Sequence, residues 1–123
     1  GWAVLRAVLA DAPAAAQQPP FAAAIAFYPA CNPPAAPLVT DTLVLIGAAD
    51  DWTRAARCED WVRGVTKQGH TADIDVYPGA GHGFDRAGPA HLVAGHQIAY
   101  DPAADHAAEA AARAFLHAHL GGS

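Results

Sequence analysis

A chain of 123 residues suits one domain or part of one, and its 53% hydrophobic content excludes a disordered chain. No window holds the roughly 18 uninterrupted apolar residues that a membrane-spanning helix needs. The net charge of −5, with seven Lys plus Arg scattered singly, excludes a nucleic-acid surface, which needs clustered cations.

The opening GWAVLRAVLA reads as a helix, with Trp2, Leu5 and Leu9 on one face and Val4 and Val8 beside it. It has no N-cap residue and no preceding element, and the chain has no methionine; the expectation is a chain that begins inside a domain. Residues 21–28, FAAAIAFY, form an apolar run between QQPP and a loop rich in proline, which favours a buried strand. Residues 42–47, TLVLIG, are apolar on both faces and so fit a strand inside a parallel sheet. Thr53 is placed to cap a helix that ends at Gly69, with Cys58, Trp61, Val62 and Val65 on its inner face. Residues 73–77, DIDVY, alternate and read as a third strand nearer an edge. Residues 83–100 form the longest irregular stretch. Asp101-Pro102 then opens a last helix whose apolar stripe is Ala108, Ala111, Ala112, Phe115 and Leu116, with Glu109 and Arg113 paired outside it. Strands alternating with helices predict an α/β fold with a parallel sheet and right-handed crossovers.

In open parallel sheets, sites form beyond the carboxyl ends of the strands. Asp50 and Asp51 follow the second strand, in IGAADDW, and His82 follows the third, in YPGAGHGFD. Each has a plain structural reading alone, the aspartates as turn formers or a helix cap and the histidine as a surface residue of a flexible loop. Together, at matched strand ends and in the order acid then histidine, they form the Asp–His half of an acyl-transfer triad.

The segments FYPACNPP, LVLIGAADDWTRAARC and YPGAGHGFDR resemble the dienelactone hydrolase family, from residue 1 to about residue 119. The resemblance implies the C-terminal part of an α/β-hydrolase fold, about three parallel strands with flanking helices, with residues 1–123 as the C-terminal half of a single domain. It maps the family's acid onto Asp50, with Asp51 as the alternative, and its histidine onto His82. The family's nucleophile stands in a turn of the form G-x-[SC]-x-G-G, which this sequence lacks; GWAVLRA is similar to the segment after that turn. Ser123 sits in a terminal tail, Cys31 is followed by Pro33 and Pro34 rather than a helix, and Cys58 falls within a predicted helix, so none fits the nucleophile's position. The resemblance therefore implies a hydrolase of esters or lactones whose nucleophile lies upstream, this chain being inactive alone. Acyl transfer would use the same residues.

Cys31 and Cys58 both fall near the expected active-site edge, as one disulfide or as two buried thiols; a disulfide fits an exported protein and free thiols a cytoplasmic one. They have no CxxC partner, and the remaining histidines show no HExxH spacing, so neither metal nor cofactor is expected. Trp52, Phe84 and Tyr100 are candidates to line a substrate pocket, with His91 and His96 on a bordering loop. The expected partners are a small ester or lactone and either the N-terminal half of the domain or another subunit, which would cover the open edge of the first strand. The rival expectation is a non-catalytic α/β module for binding or assembly, using that edge as its interface.

Overall fold

The computed structural model describes residues 23–31, 40–65 and 70–119. The predicted opening helix lies outside them. Three parallel strands, β1 (Ala24–Phe27), β2 (Thr42–Gly47) and β3 (Ala72–Tyr77), form a sheet with β2 in the middle. The register runs Ala24↔Thr42 to Phe27↔Leu45 on one side and Thr42↔Ala72 to Gly47↔Tyr77 on the other. Every residue of β2 is buried, as its two-faced apolar run requires.

The period-2 alternation of β2 divides the core into two layers. Val44 and Ile46 pack with Cys58, Trp61 and Val65 under helix α1 (Ala55–Gly64). Leu43 and Leu45 pack on the other face with Ala80, Phe84, Ala104 and Ala108, the last two from helix α2 (Pro102–His119). On β3, Asp73 and Asp75 share the second face and are exposed, so charge protects this edge strand from pairing further.

Both helices differ from the sequence expectation in detail. α1 starts at Ala55, with Arg54 as its N-cap and no side-chain cap bond, and ends at Gly64 rather than Gly69. Thr53 is no cap, because its hydroxyl is engaged elsewhere, as shown below. α2 starts as predicted: Asp101 Oδ1 accepts the Ala104 N–H at 3.0 Å, with Pro102 in the first helical position. Its buried stripe runs Ala104 and Ala108, flanked by Ala111, Ala112 and Phe115, while Leu116 is 38% exposed. Eight residues past Ala108, Leu116 has rotated to the stripe's margin. Glu109 and Arg113 pair at 2.6 Å on the outer face.

The stretch 83–100 is not irregular throughout. It holds an antiparallel hairpin, β4 (His91–Val93) and β5 (His96–Ile98), turned by Ala94 and Gly95, both at positive φ (52° and 81°). That is the twist a two-residue hairpin loop needs. Alanine accepts it with strain, and Ala-Gly is not a turn signal a sequence reading recognises.

Cys31 and Cys58 form a disulfide, which ties the segment after β1 to α1. The partners are separated by 27 residues, and loop-closure entropy for that span is worth about 3–4 kcal/mol. Reduction is therefore expected to lower unfolding free energy by about that amount, read as a shift of the urea midpoint with and without dithiothreitol. An unmoved midpoint would show that the bridge does not constrain the protein.

Candidate active site

The site stands at the carboxyl ends of β2 and β3, and two glycines explain how the ends approach. A Cβ on Gly47 would come within 2.0 Å of the Ala80 carbonyl oxygen, so only glycine lets the 78–82 loop fold over the end of β2. The approach is secured by the Ala48 N–H to Tyr77 O and the Ala49 N–H to Ala80 O, both at 2.9 Å. Gly83 has φ of +71°, and a Cβ there would meet the Ile98 side chain at 2.9 Å. Next to it, Phe84 is fully buried and anchors the loop in the core against Phe27, Tyr28 and Tyr77. The sequence GHGF thus places the imidazole two residues before a fixed hydrophobic anchor.

Asp50 and His82 meet there. His82 Nδ1 lies 2.9 Å from Asp50 Oδ2. Asp50 is almost fully buried and accepts four hydrogen bonds. Its Oδ1 takes the backbone N–H groups of Trp52 (2.9 Å) and Thr53 (2.8 Å), and its Oδ2 takes His82 and the Thr53 hydroxyl (2.9 Å). With every partner a donor, Nδ1 of His82 carries the proton and Nε2 is left as the basic nitrogen.

Burial alone would raise the pKa of Asp50, but the bonds from His82, Thr53 and Trp52 outweigh it and hold the carboxyl below its ordinary value of 3.8. At the other end of β2, Asp41 behaves alike: burial pushes it up, while the Thr71 N–H, His119 and His70 pull it below 3.8. A depressed folded pKa contributes stability above the unfolded carboxylate value and loses it as pH falls through the folded value. Urea midpoints are accordingly expected to show no carboxylate-linked fall above about pH 5 and a progressive fall below it, shallower in Asp50→Asn. An identical acid limb in Asp50→Asn would show that this carboxylate is not specially stabilised.

Asp51, the alternative acid, faces the hairpin instead. Its Oδ1 is 3.6 Å from His96 Nδ1 and its Oδ2 accepts the Gln97 N–H at 3.4 Å.

Two residues of this centre escaped the sequence reading. Thr53 Oγ1 lies 3.1 Å from His82 Nδ1 and 3.0 Å from the Tyr28 carbonyl, as well as on Asp50. Tyr28 adopts φ of +39°, a strained conformation for a tyrosine, directly after β1. Its ring packs edge-on against His82 at 4.5 Å between centroids, and its hydroxyl donates to Asp85 at 2.9 Å. Burial and the Asp85 carboxylate push that phenol up to about 12, so it stays protonated. The i,i+3 spacing of Asp50 and Thr53 was the available signal, since it is also a turn spacing in which side chains meet the backbone.

His82 opens onto a cavity of about 240 Å³. Tyr28 and Trp52 give it aromatic walls, Val93 and Ile98 aliphatic ones, and Arg86 and His91 polar ones. Of the predicted lining, Trp52 is present, Phe84 belongs to the core, and the Tyr100 hydroxyl instead donates to Asp105 at 3.0 Å. Among the described residues the cavity presents no serine or cysteine, and both cysteines are held in the disulfide. The arrangement can take up and deliver a proton at Nε2 of His82.

The model of the dienelactone hydrolase family matches residues 8–120 of this chain. No curated protein and no solved structure matches it.

Proposed function

Because the chain belongs to the dienelactone hydrolase family, whose fold is the α/β-hydrolase fold and whose members are hydrolases, we propose that it supplies the acid and the histidine of a nucleophile–His–Asp triad that cleaves esters or lactones. The single observation that supports this most is the 2.9 Å bond from His82 Nδ1 to an Asp50 carboxylate already saturated by donors. The chain is read as the C-terminal half of one hydrolase domain, 1–123, with the nucleophile on an elbow preceding it.

In this mechanism the upstream serine or cysteine gives its proton to His82 Nε2 as it attacks the carbonyl carbon. Asp50 steadies the imidazolium without taking the proton. His82 then protonates the leaving alcohol, and a water molecule, deprotonated by the same nitrogen, releases the acid. Tyr28 and Trp52 flank the imidazole, and Thr53 fixes the carboxylate. Backbone donors for the oxyanion belong with the nucleophile. The test is complementation: chain 1–123, the upstream segment and both together are assayed on p-nitrophenyl acetate. The mixture is expected to hydrolyse it and neither part alone; equal activity of chain 1–123 by itself would overturn the division of the triad.

A further inference from the structure

Asp50 and Asp51 stand side by side, and each faces a different imidazole. Trp52, the next residue, lies between them. Its ring is 5.0 Å from that of His82, tilted by 41°, and 4.7 Å from that of His96 at only 12°, a near-parallel stack. His96 opens β5, and the hairpin it belongs to contributes Val93 and Ile98 to the cavity wall. That hairpin has strands of three residues and an outward Leu92 that is 67% exposed. Strands so short do not hold their place unaided. At one end β5 is held by Ile98, which bridges to the His82 backbone and fills the space beside Gly83. At the other end the contact is the Trp52–His96 stack, backed by Asp51 on His96 and on the Gln97 N–H. The Asp51–His96 pair is wide, with its side chains 33% and 47% exposed, so it adds little to the stack.

We propose that Trp52 and His96, backed by Asp51, form a clasp that fixes the β4–β5 hairpin as a wall of the cavity and so sets the size of the acyl group admitted. This rests on the hydrolase reading above. His96 touches neither His82 nor Asp50 and is a positioning residue: it holds Trp52 and the hairpin, and these bound the substrate. With the clasp intact, Val93 and Ile98 close the cavity to long acyl chains. Without it the hairpin swings, and the wall no longer discriminates.

The test uses the full-length protein with its upstream segment, unsubstituted and as His96→Ala and His96→Phe. Hydrogen exchange of residues 91–98 reads the clasp without reference to catalysis. kcat and KM for p-nitrophenyl acetate and octanoate read the wall. His96→Ala is expected to raise exchange in 91–98 about tenfold. It should also shift the octanoate-to-acetate ratio of kcat/KM about tenfold toward octanoate, through KM, with kcat on acetate unchanged. His96→Phe keeps an aromatic stack and is expected to restore both readings to within about threefold of the unsubstituted protein. Unchanged exchange in His96→Ala overturns the clasp whatever the activity. Raised exchange with an unchanged ester ratio overturns its part in selecting substrate. If the unsubstituted protein hydrolyses neither ester, the hydrolase reading fails, and the exchange result still decides the clasp.

Discussion

Replacing His82 by alanine in the full-length protein is expected to lower kcat on a simple ester by about 10⁶-fold. The size follows from what the imidazole does. In the proposed mechanism it removes the nucleophile's proton in the attack and returns it to the leaving group, and an isolated triad knockout leaves only the contributions of binding and oxyanion stabilisation. KM should change little, since the walls formed by Trp52, Val93 and Ile98 remain. The substitution deletes the ring contacts with Tyr28 and Trp52 and leaves Asp50 with three of its four donors, so a modest loss of stability accompanies it. Urea denaturation distinguishes the two effects: a folded His82→Ala protein with full esterase activity would remove the imidazole from the mechanism.

Asp50→Asn is expected to cost less, about 10⁴-fold in kcat, through a different cause. The asparagine oxygen can still accept the Trp52 and Thr53 N–H groups, which keeps the turn after β2. Its NH₂ then faces His82 Nδ1, where the carboxylate had accepted a hydrogen bond. Two donors cannot pair, so the histidine moves its proton to Nε2 and presents no lone pair to the nucleophile. Asp51→Asn supplies the control, because Asp51 lies against His96 and Gln97. It is expected to leave kcat on acetate within about threefold. Equal losses in the two variants would show that charge near the strand end matters and the bond to His82 does not.

The residues that could be read in advance were those whose pattern is set by one strong constraint. TLVLIG is a central strand because both faces are apolar, and the structure gives β2 those bounds. Asp50 and His82 were legible because a strand end is a fixed place and glycine spacing marks a tight return. What was not legible depends on partners far apart in the chain. Thr53 looks like a helix cap until Tyr28, 25 residues earlier, offers its carbonyl. The strain at Tyr28 leaves no trace in residue type. The hairpin hides behind an Ala-Gly turn, and its opposite end is held by Ile98 against Gly83. The cysteines could be paired or free until the segment after β1 and helix α1 were seen to approach.

The central claim is that His82, oriented by Asp50, serves a nucleophile carried outside this chain. Trapping that nucleophile tests it most directly. The full-length protein is treated with a p-nitrophenyl phosphonate, and the labelled residue is located by peptide mass spectrometry. The account predicts one labelled serine or cysteine in the segment preceding Gly1, with the labelling rate reduced about 10³-fold or more in His82→Ala. A label on any residue of 1–123, or equal labelling rates with and without His82, would contradict it.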